Sequence, residues 1–155
     1  MTIMGSRQPS QLETKLRPIT GRLLGINKPP VVYVAGKYRS KWYGYFNILG
    51  VAVNIRKARK VAKELFRKGI VALCPHSNSA FFDFFDKVPD EIILPACIEL
   101  MKRCDAVLVL PNWVDSSGTK VEIEEARKAN IPVFYFQEDL DKYIERSQTL
   151  RELEC

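Results

Sequence analysis

The residues with the clearest chemical potential lie at positions 116–122, where the sequence SSGTKVE follows an apolar run. Ser116, Ser117 and Gly118 are placed to begin a helix, and the first amides of a helix bind anions because they lack hydrogen-bond partners. The serines equally suit plain capping of the helix, which is a common role for serine there. Glu122 lies about one turn later, where it either stabilises the helix dipole or serves as a nucleophile or general base.

A second stretch suited to ligand binding runs from Gly36 to Asn47 and mixes three cations with five aromatic residues. Lys37 and Arg39 suit a phosphate, while Tyr38 and its aromatic neighbours suit stacking on a base. The same composition is typical of a protein interface, so a contact between subunits is the alternative.

His76 and Asn78 belong to a third stretch, residues 76–87, which is predicted to be a loop rich in Ser, Asn, Phe and Asp. His76 is the only histidine, and no serine or cysteine stands at a spacing that suggests a catalytic triad. We expect it to make ordinary hydrogen bonds within the loop. Both side chains are candidates for substrate binding because the loop follows a predicted strand.

The composition excludes several classes of protein. A chain of 155 residues with 46% hydrophobic and 27% charged residues is long enough for one ordinary core. It has no apolar run near the roughly 18–20 residues of a membrane span. Four cysteines without a C-x-x-C pair fit neither a zinc finger nor a disulfide framework. We expect a soluble protein in the reducing cytoplasm, with no metal site and no cofactor.

The charge of the chain is unevenly distributed. The net charge of +6 divides into +4 for residues 1–30, +9 for residues 31–68 and −7 for residues 69–155. This pattern indicates either an anionic ligand near the first third or a solvated basic helix face. Residues 1–29 lack a sustained periodicity and are predicted to form a basic N-terminal arm.

From residue 30 onward, short apolar runs alternate with amphipathic segments. The strands are predicted at Val31–Ala35, Ile70–Cys74, Asp105–Leu110 and Pro132–Phe136. The helices are predicted around Val51–Leu65, at about Pro89–Arg103, at Gly118–Asn130 with Val121, Ala126 and Ala129 inward, and at Asp139–Leu153. This alternation predicts a single Rossmann-like α/β domain, residues 30–155, with a parallel sheet of four to five strands between two layers of helices.

A strand order of 2-1-3-4 brings the functional stretches together. In such a sheet the order reverses between the first and third strands, and ligands bind beyond the carboxyl ends of the strands at that point. The loops that follow Ala35 and Leu110 then face one crevice. We therefore expect the chemistry of Glu122 to occur there.

Several short motifs occur in order along residues 31–137: VYVAG at 32–36, NIRKA at 54–58, CPH at 74–76, RCDAV at 103–107, PNW at 111–113 and SSGT at 116–119. In these motifs the chain resembles the nucleoside 2-deoxyribosyltransferase-like superfamily. More narrowly, it is similar to an uncharacterised phage and bacterial branch related to the deoxynucleoside 5′-monophosphate N-glycosidases. Ser116, Gly118, Glu122 and Ala126 stand at the matching positions of that superfamily's S-x-G-x-x-x-E-x-x-x-A signature.

The resemblance implies a flavodoxin-like fold and an N-glycosidase or deoxyribosyltransferase activity on a (deoxy)nucleoside or its 5′-monophosphate. Glu122 would attack the sugar C1′, and water or a second base would resolve the glycosyl-enzyme. Gly36 and Arg39 match a loop that holds sugar or phosphate, and the serine-rich turn would contact a 5′-phosphate. Relatives often complete their sites with a neighbouring subunit, which implies a homo-oligomer.

The chain departs from the superfamily at one position. Relatives with established activity place an aspartate eight residues before the aspartate that opens the third strand, where this chain has Cys97. Glycosidase chemistry normally uses two acidic groups, one nucleophilic and one that protonates the leaving group. The alternative is therefore a nucleotide-binding or sensing module without turnover. Nucleic acid is not an expected partner, because no helix-turn-helix or RNA-recognition signature is present.

Overall fold

The computed structural model of the chain describes residues 28–39, 45–83 and 85–153. Most of the predicted basic arm, and Trp42 and Tyr43 of the first aromatic stretch, lie outside the described residues. The strands are β1 (Val31–Ala35), β2 (Val71–Leu73), β3 (Ala106–Val109) and β4 (Val133–Phe134). The helices are α1 (Tyr45–Arg67), α2 (Pro75–Asn78), α3 (Asp90–Met101), α4 (Ser117–Lys128) and α5 (Gln137–Leu153).

The four strands form one parallel sheet in the order β2-β1-β3-β4. Strand β1 is central: Val32 is paired with Ala72 of β2, and Val34 is paired with Leu108 of β3. Strand β4 pairs with the outer side of β3. The predicted order 2-1-3-4 and the α/β class with a flavodoxin-like three-layer architecture are thus confirmed.

Apolar side chains pack on both faces of the sheet because successive residues of a strand point in opposite directions. Val32 and Val34 point to one face, where the buried Leu65 of α1 and Leu140 of α5 cover them. The opposite face of β1 carries Tyr33 and Ala35 and is covered by residues of α3 and α4, among them Cys97, Met101, Ile123 and Ala126. None of the helices described combines the length and apolar character needed to cross a membrane.

Two of the predicted loops contain helix. Helix α1 begins at Tyr45, so the end of the predicted Gly36–Asn47 loop is helical; the partly buried Ile48 continues the inward face of Val51 by one turn. His76 and Asn78 lie in the short helix α2 rather than in a loop. Pro75 at the first position favours this turn, because its fixed φ suits the start of a helix.

Helix α4 differs from the sequence-based prediction in its phase. Val121 is 39% exposed and Ala129 is also exposed, so the prediction that they point inward is wrong, whereas Ala126 is buried as expected. The buried positions are instead Thr119, Glu122, Ile123 and Ala126, at the spacing of one helix face. The helix ends at Lys128 because Asn130 adopts φ 56°, a left-handed conformation that breaks helical geometry.

The side chain of Leu110 leaves little room for a side chain at Gly36, which follows β1. A Cβ atom at Gly36 would lie 2.7 Å from Cδ1 and 3.0 Å from Cβ of the buried Leu110, whereas one at Gly118 would meet only Leu94 Cδ1 at 3.9 Å.

We predict that Gly36→Ala lowers the free energy of unfolding by about 1–3 kcal/mol. The matched variant Gly118→Ala should unfold within about 1 kcal/mol of wild type. Urea denaturation measures both, and equal stability of the two variants would contradict the prediction.

Candidate active site

A cavity of about 410 Å³ lies beyond the carboxyl ends of β1 and β3. The loop after β1 forms one side of it, and the N-terminal turns of α4 form another. Helices α2 and α3 supply the remaining walls through His76, Asp90 and Cys97 among others. The cavity therefore lies at the point where the strand order reverses, as ligand sites of such sheets do.

Glu122 is the one carboxylic side chain that is buried among the described residues lining this cavity. It is only 6% exposed, and its Oε1 accepts a hydrogen bond of 2.5 Å from the Tyr33 hydroxyl. Burial raises the pKa of Glu122 to about 7, and the hydrogen bond from Tyr33 acts against this increase. Its pKa is thus shifted towards neutral pH, as is common for buried carboxyl groups in active sites.

Helix capping places Glu122 at the cavity. The Ser116 side chain accepts hydrogen bonds from the backbone N–H of Thr119 at 3.3 Å and from its hydroxyl at 2.9 Å. These bonds fix the first turn of α4, so that Glu122 falls on the buried face together with Thr119. Helix capping and anion binding, the two roles expected of the serine turn, are therefore compatible. Ser116 caps the helix, while Ser117 and Gly118 line the cavity.

Tyr33 and Cys97 surround the carboxyl group of Glu122. Tyr33 is fully buried in the central strand, and burial, reinforced by the charge of Glu122, raises its pKa. Burial likewise raises the pKa of the Cys97 thiol, and the charge of Glu122 acts in the same direction. Both groups consequently keep their protons at neutral pH. Tyr33 was not among the predicted site residues, although it is the only hydroxyl-bearing residue within the otherwise aliphatic β1.

The loop after β1 is held by two aspartates. Tyr38 donates a hydrogen bond of 2.9 Å to Asp83 Oδ1 and accepts one of 2.8 Å from the backbone N–H of Phe81. Arg39 donates to Asp90 Oδ2 from Nη2 at 2.6 Å and from Nε at 3.1 Å, and its Nη2 lies 3.6 Å from Asp83. Much of the charge of Arg39 is therefore already paired before any ligand binds.

Asn54 of α1 connects the two loops that border the cavity. Its side-chain nitrogen donates to the backbone carbonyls of Tyr38 and Arg39 at 3.2 and 3.3 Å. Its side-chain oxygen accepts a hydrogen bond of 3.4 Å from Asn112, which follows β3. In the sequence, the signal for this role was a polar residue, Asn54, on a helix face that is otherwise apolar. In the structure Asn54 is mostly buried.

His76 is 4% exposed and lines the cavity. Its ring nitrogens make no hydrogen bond of good geometry within the described ranges, although the backbone of Gly36 and Lys37 lies close enough to interact with the ring. Its ring lies 5.9 Å from that of Tyr38, at an angle of 58°. Burial lowers the pKa of His76, with the nearby backbone of Lys37 and Gly36 acting in the opposite direction, so the neutral imidazole is favoured at pH 7.

The structure brings together most of the candidate residues from the sequence analysis. The candidate residues that line the cavity are Gly36, Lys37, Tyr38, Arg39, His76, Ser116, Ser117, Gly118 and Glu122. Asn78 is exposed on α2 and is not one of the residues lining the cavity. Within the described part of the chain, no three His, Cys, Asp or Glu side chains are grouped so as to hold a metal ion.

The buried carboxyl group of Glu122 should reduce stability in a pH-dependent manner. Its pKa rises from 4.5 to about 7 on folding, so the cost of burying its charge appears as the pH rises through that interval and is complete above it. We predict that Glu122→Gln raises the free energy of unfolding at pH 8 by up to about 3 kcal/mol relative to its effect at pH 4.5. Urea denaturation at both pH values measures this difference. Glu124→Gln, on the exposed face of α4, is the control, and an equal effect of Glu122→Gln at both pH values would refute the prediction.

Comparison with known proteins gives one family. A family model described as a domain of unknown function, DUF7768, matches residues 30–136. No curated protein and no solved structure matches the chain. The matched range contains the whole sheet and every residue named above as lining the cavity. Since it also covers more than half of the sequence, the chain belongs to the DUF7768 family.

Proposed function

We propose that the protein is an N-glycosidase or deoxyribosyltransferase that cleaves the N-glycosidic bond of a nucleoside or nucleotide with Glu122 as the nucleophile. The observation that supports this proposal most directly is the hydrogen-bonded carboxyl group of Glu122, buried at the wall of a cavity large enough for a nucleoside. A structural role alone does not account for it, because an acid with a pKa near 7 costs stability at neutral pH.

The geometry of the carboxyl group suits nucleophilic attack. Tyr33 holds Oε1 and thereby orients the group, which leaves the second oxygen for attack on the anomeric carbon. The resulting glycosyl ester would then be resolved by water, giving hydrolysis, or by a second base, giving transfer. Burial strengthens the interaction of the carboxylate with the positive charge that develops on the sugar ring in the transition state.

The remaining walls of the cavity offer binding groups for the rest of a nucleotide. The free amides at the start of α4, together with Ser117 and Lys37, suit a phosphate or sugar hydroxyl. Tyr38 and His76 provide aromatic surface for a planar base. Arg39 contributes less net charge than its sequence position suggested, because Asp90 is already bound to it.

A second candidate function, a nucleotide-binding or sensing module without turnover, is favoured by one observation. Beside Glu122, the α3 wall of the cavity presents the thiol of Cys97, whereas glycosidases generally have a second carboxyl group near the scissile bond. Such a module would bind a nucleotide through the same loops and be stabilised by it without releasing a base.

Loss of the Glu122 carboxylate distinguishes the two functions. We predict that Glu122→Gln reduces base release from nucleosides, 5′-monophosphates or NAD by at least about 10³-fold, because no other buried carboxylate lines the described part of the cavity. Chromatography of the released base measures the effect, with Glu124→Gln as the control that should retain activity. Thermal stabilisation by one of these ligands, without base release by the wild type, would support the binding module instead.

The pH dependence should follow the ionisation of Glu122. A nucleophilic carboxylate must be deprotonated, so we predict that kcat/KM rises with pH and levels off above about 7. Tyr33→Phe removes the hydrogen bond that lowers this pKa, and should therefore move the increase in kcat/KM to higher pH. Tyr143→Phe, which changes a tyrosine packed on Phe134 of β4, is the control and should leave the profile unchanged. A Tyr33→Phe profile that coincides with that of the wild type would contradict this role.

A further inference from the structure

The groups around Glu122 limit how a leaving base can obtain a proton. When a neutral nucleoside is cleaved, the base departs as an anion unless an acid protonates it, and a positioned acid is worth roughly 10²–10⁴-fold in rate. Glu122 cannot supply that proton while it acts as the nucleophile. Another group that faces the cavity must therefore donate it.

Among the described residues that line the cavity, Glu122 is the one buried carboxylic acid. The other two carboxyl groups are exposed, and that of Asp90 already accepts two hydrogen bonds from Arg39 on one oxygen. The thiol of Cys97 is a weak donor, and burial raises its pKa. His76 favours the neutral imidazole. Residues 40–44, outside the described ranges, have the sequence SKWYG and contain no carboxyl group.

From this arrangement, and resting on the proposed function, we infer that the substrate is an N-glycoside whose leaving base is a cationic heterocycle, such as a pyridinium or an N-alkylated purine. A base of this kind carries a formal positive charge on its ring system while it is bonded to the sugar. It departs as a neutral molecule and requires no proton. A site with one buried carboxylate beside a thiol is sufficient for that reaction.

The reaction balances in electrons and charge without a proton donor for the leaving base. The free oxygen of Glu122 forms a bond to the anomeric carbon, and the bond from that carbon to the ring nitrogen breaks. The electron pair of the broken bond neutralises the cationic base, which leaves. Water then attacks the anomeric carbon, and the ester bond breaks to regenerate the Glu122 carboxylate. One proton of that water stays on the new sugar hydroxyl, and the other passes to solvent.

The walls of the cavity also suit a flat cation. Tyr38 and His76 both line the cavity, with ring centroids 5.9 Å apart, and a cation held against an aromatic face is attracted by its π electrons. The buried ring nitrogens of His76, which make no hydrogen bond of good geometry among the described residues, can donate to or accept from polar groups of the base. A positive charge near Glu122 favours its carboxylate form, so the binding of such a substrate would itself help to ionise the nucleophile.

The test compares substrates that differ in charge and little else. Base release is measured for 7-methylguanosine and guanosine, and for their 2′-deoxy forms, with each rate divided by the uncatalysed rate of the same compound. We expect this rate enhancement to be at least about 10²-fold greater for the methylated, cationic member of the pair that fits the sugar site. Nicotinamide riboside provides a pyridinium substrate as an independent case.

A substitution at Cys97 tests the same inference from the side of the protein. Cys97→Asp places a carboxyl group beside Glu122 and should increase release of guanine from guanosine, relative to release of 7-methylguanine by the same variant, by roughly 10-fold or more. Cys97→Ser is the control for loss of the thiol. If circular dichroism shows that Cys97→Asp does not fold, the inference is tested by the comparison of cationic and neutral substrates with the wild-type protein.

The possible outcomes separate this inference from the proposed function. Equal rate enhancement for the neutral and cationic members would overturn the inference and leave Glu122 as the nucleophile of an ordinary N-glycosidase. Release of neither base, from any substrate, would overturn both. Release of the cationic base alone, lost in Glu122→Gln, would support both together.

Discussion

The hydrogen bond between Tyr33 and Glu122 joins the centre of the sheet to the cavity. Its two residues are 89 positions apart, one at the middle of β1 and the other in the second turn of α4. A carboxyl group in an apolar core is costly unless it is hydrogen-bonded, so α4 can bury this face only where Tyr33 meets it. The parallel pairing of β1 with β3, and the capping of α4 by Ser116, together hold the helix in that position.

The loops around the cavity are held in place largely by polar contacts. Asn54 binds two carbonyls of the β1 loop, while Tyr38 and Arg39 of that loop bind Asp83 and Asp90. Such contacts hold side chains in defined positions without filling the space between them with apolar groups. Restraint of the cavity wall by such contacts lowers the entropic cost of binding a small ligand.

The fold was largely predictable from the sequence because its signals are local. Each strand is a short apolar run, and the order of loops along the chain follows from the alternation of strands and helices. The phase of α4 was not predictable in this way: the apolar pattern favoured Val121, Ala126 and Ala129 as inward, whereas the buried face contains Glu122. Only the hydroxyl of Tyr33, from a distant strand, makes that orientation acceptable, and no periodicity within residues 117–128 contains this information.

The candidate site was predictable to a similar extent. Its loops and Glu122 were found because a glutamate after a serine-rich helix start is a local pattern. The pairing of Arg39 with Asp90 and the contacts of Asn54 were not found, because each joins residues 15 or more positions apart. The lack of a well-formed hydrogen bond at the ring nitrogens of His76 was not predictable either, because it depends on what surrounds the ring in three dimensions.

Helix α5 lies outside the family match, yet it covers one face of the sheet. The family match ends at residue 136, one position before α5 begins. Yet Leu140 is fully buried, Ile144 is nearly so, and Asp141 pairs with Lys68 just beyond α1. A polypeptide cut at the family boundary would leave Val32 and Val34 of the central strand partly uncovered. Homologous domains that lack an equivalent of α5 must therefore cover this face of the sheet by other means.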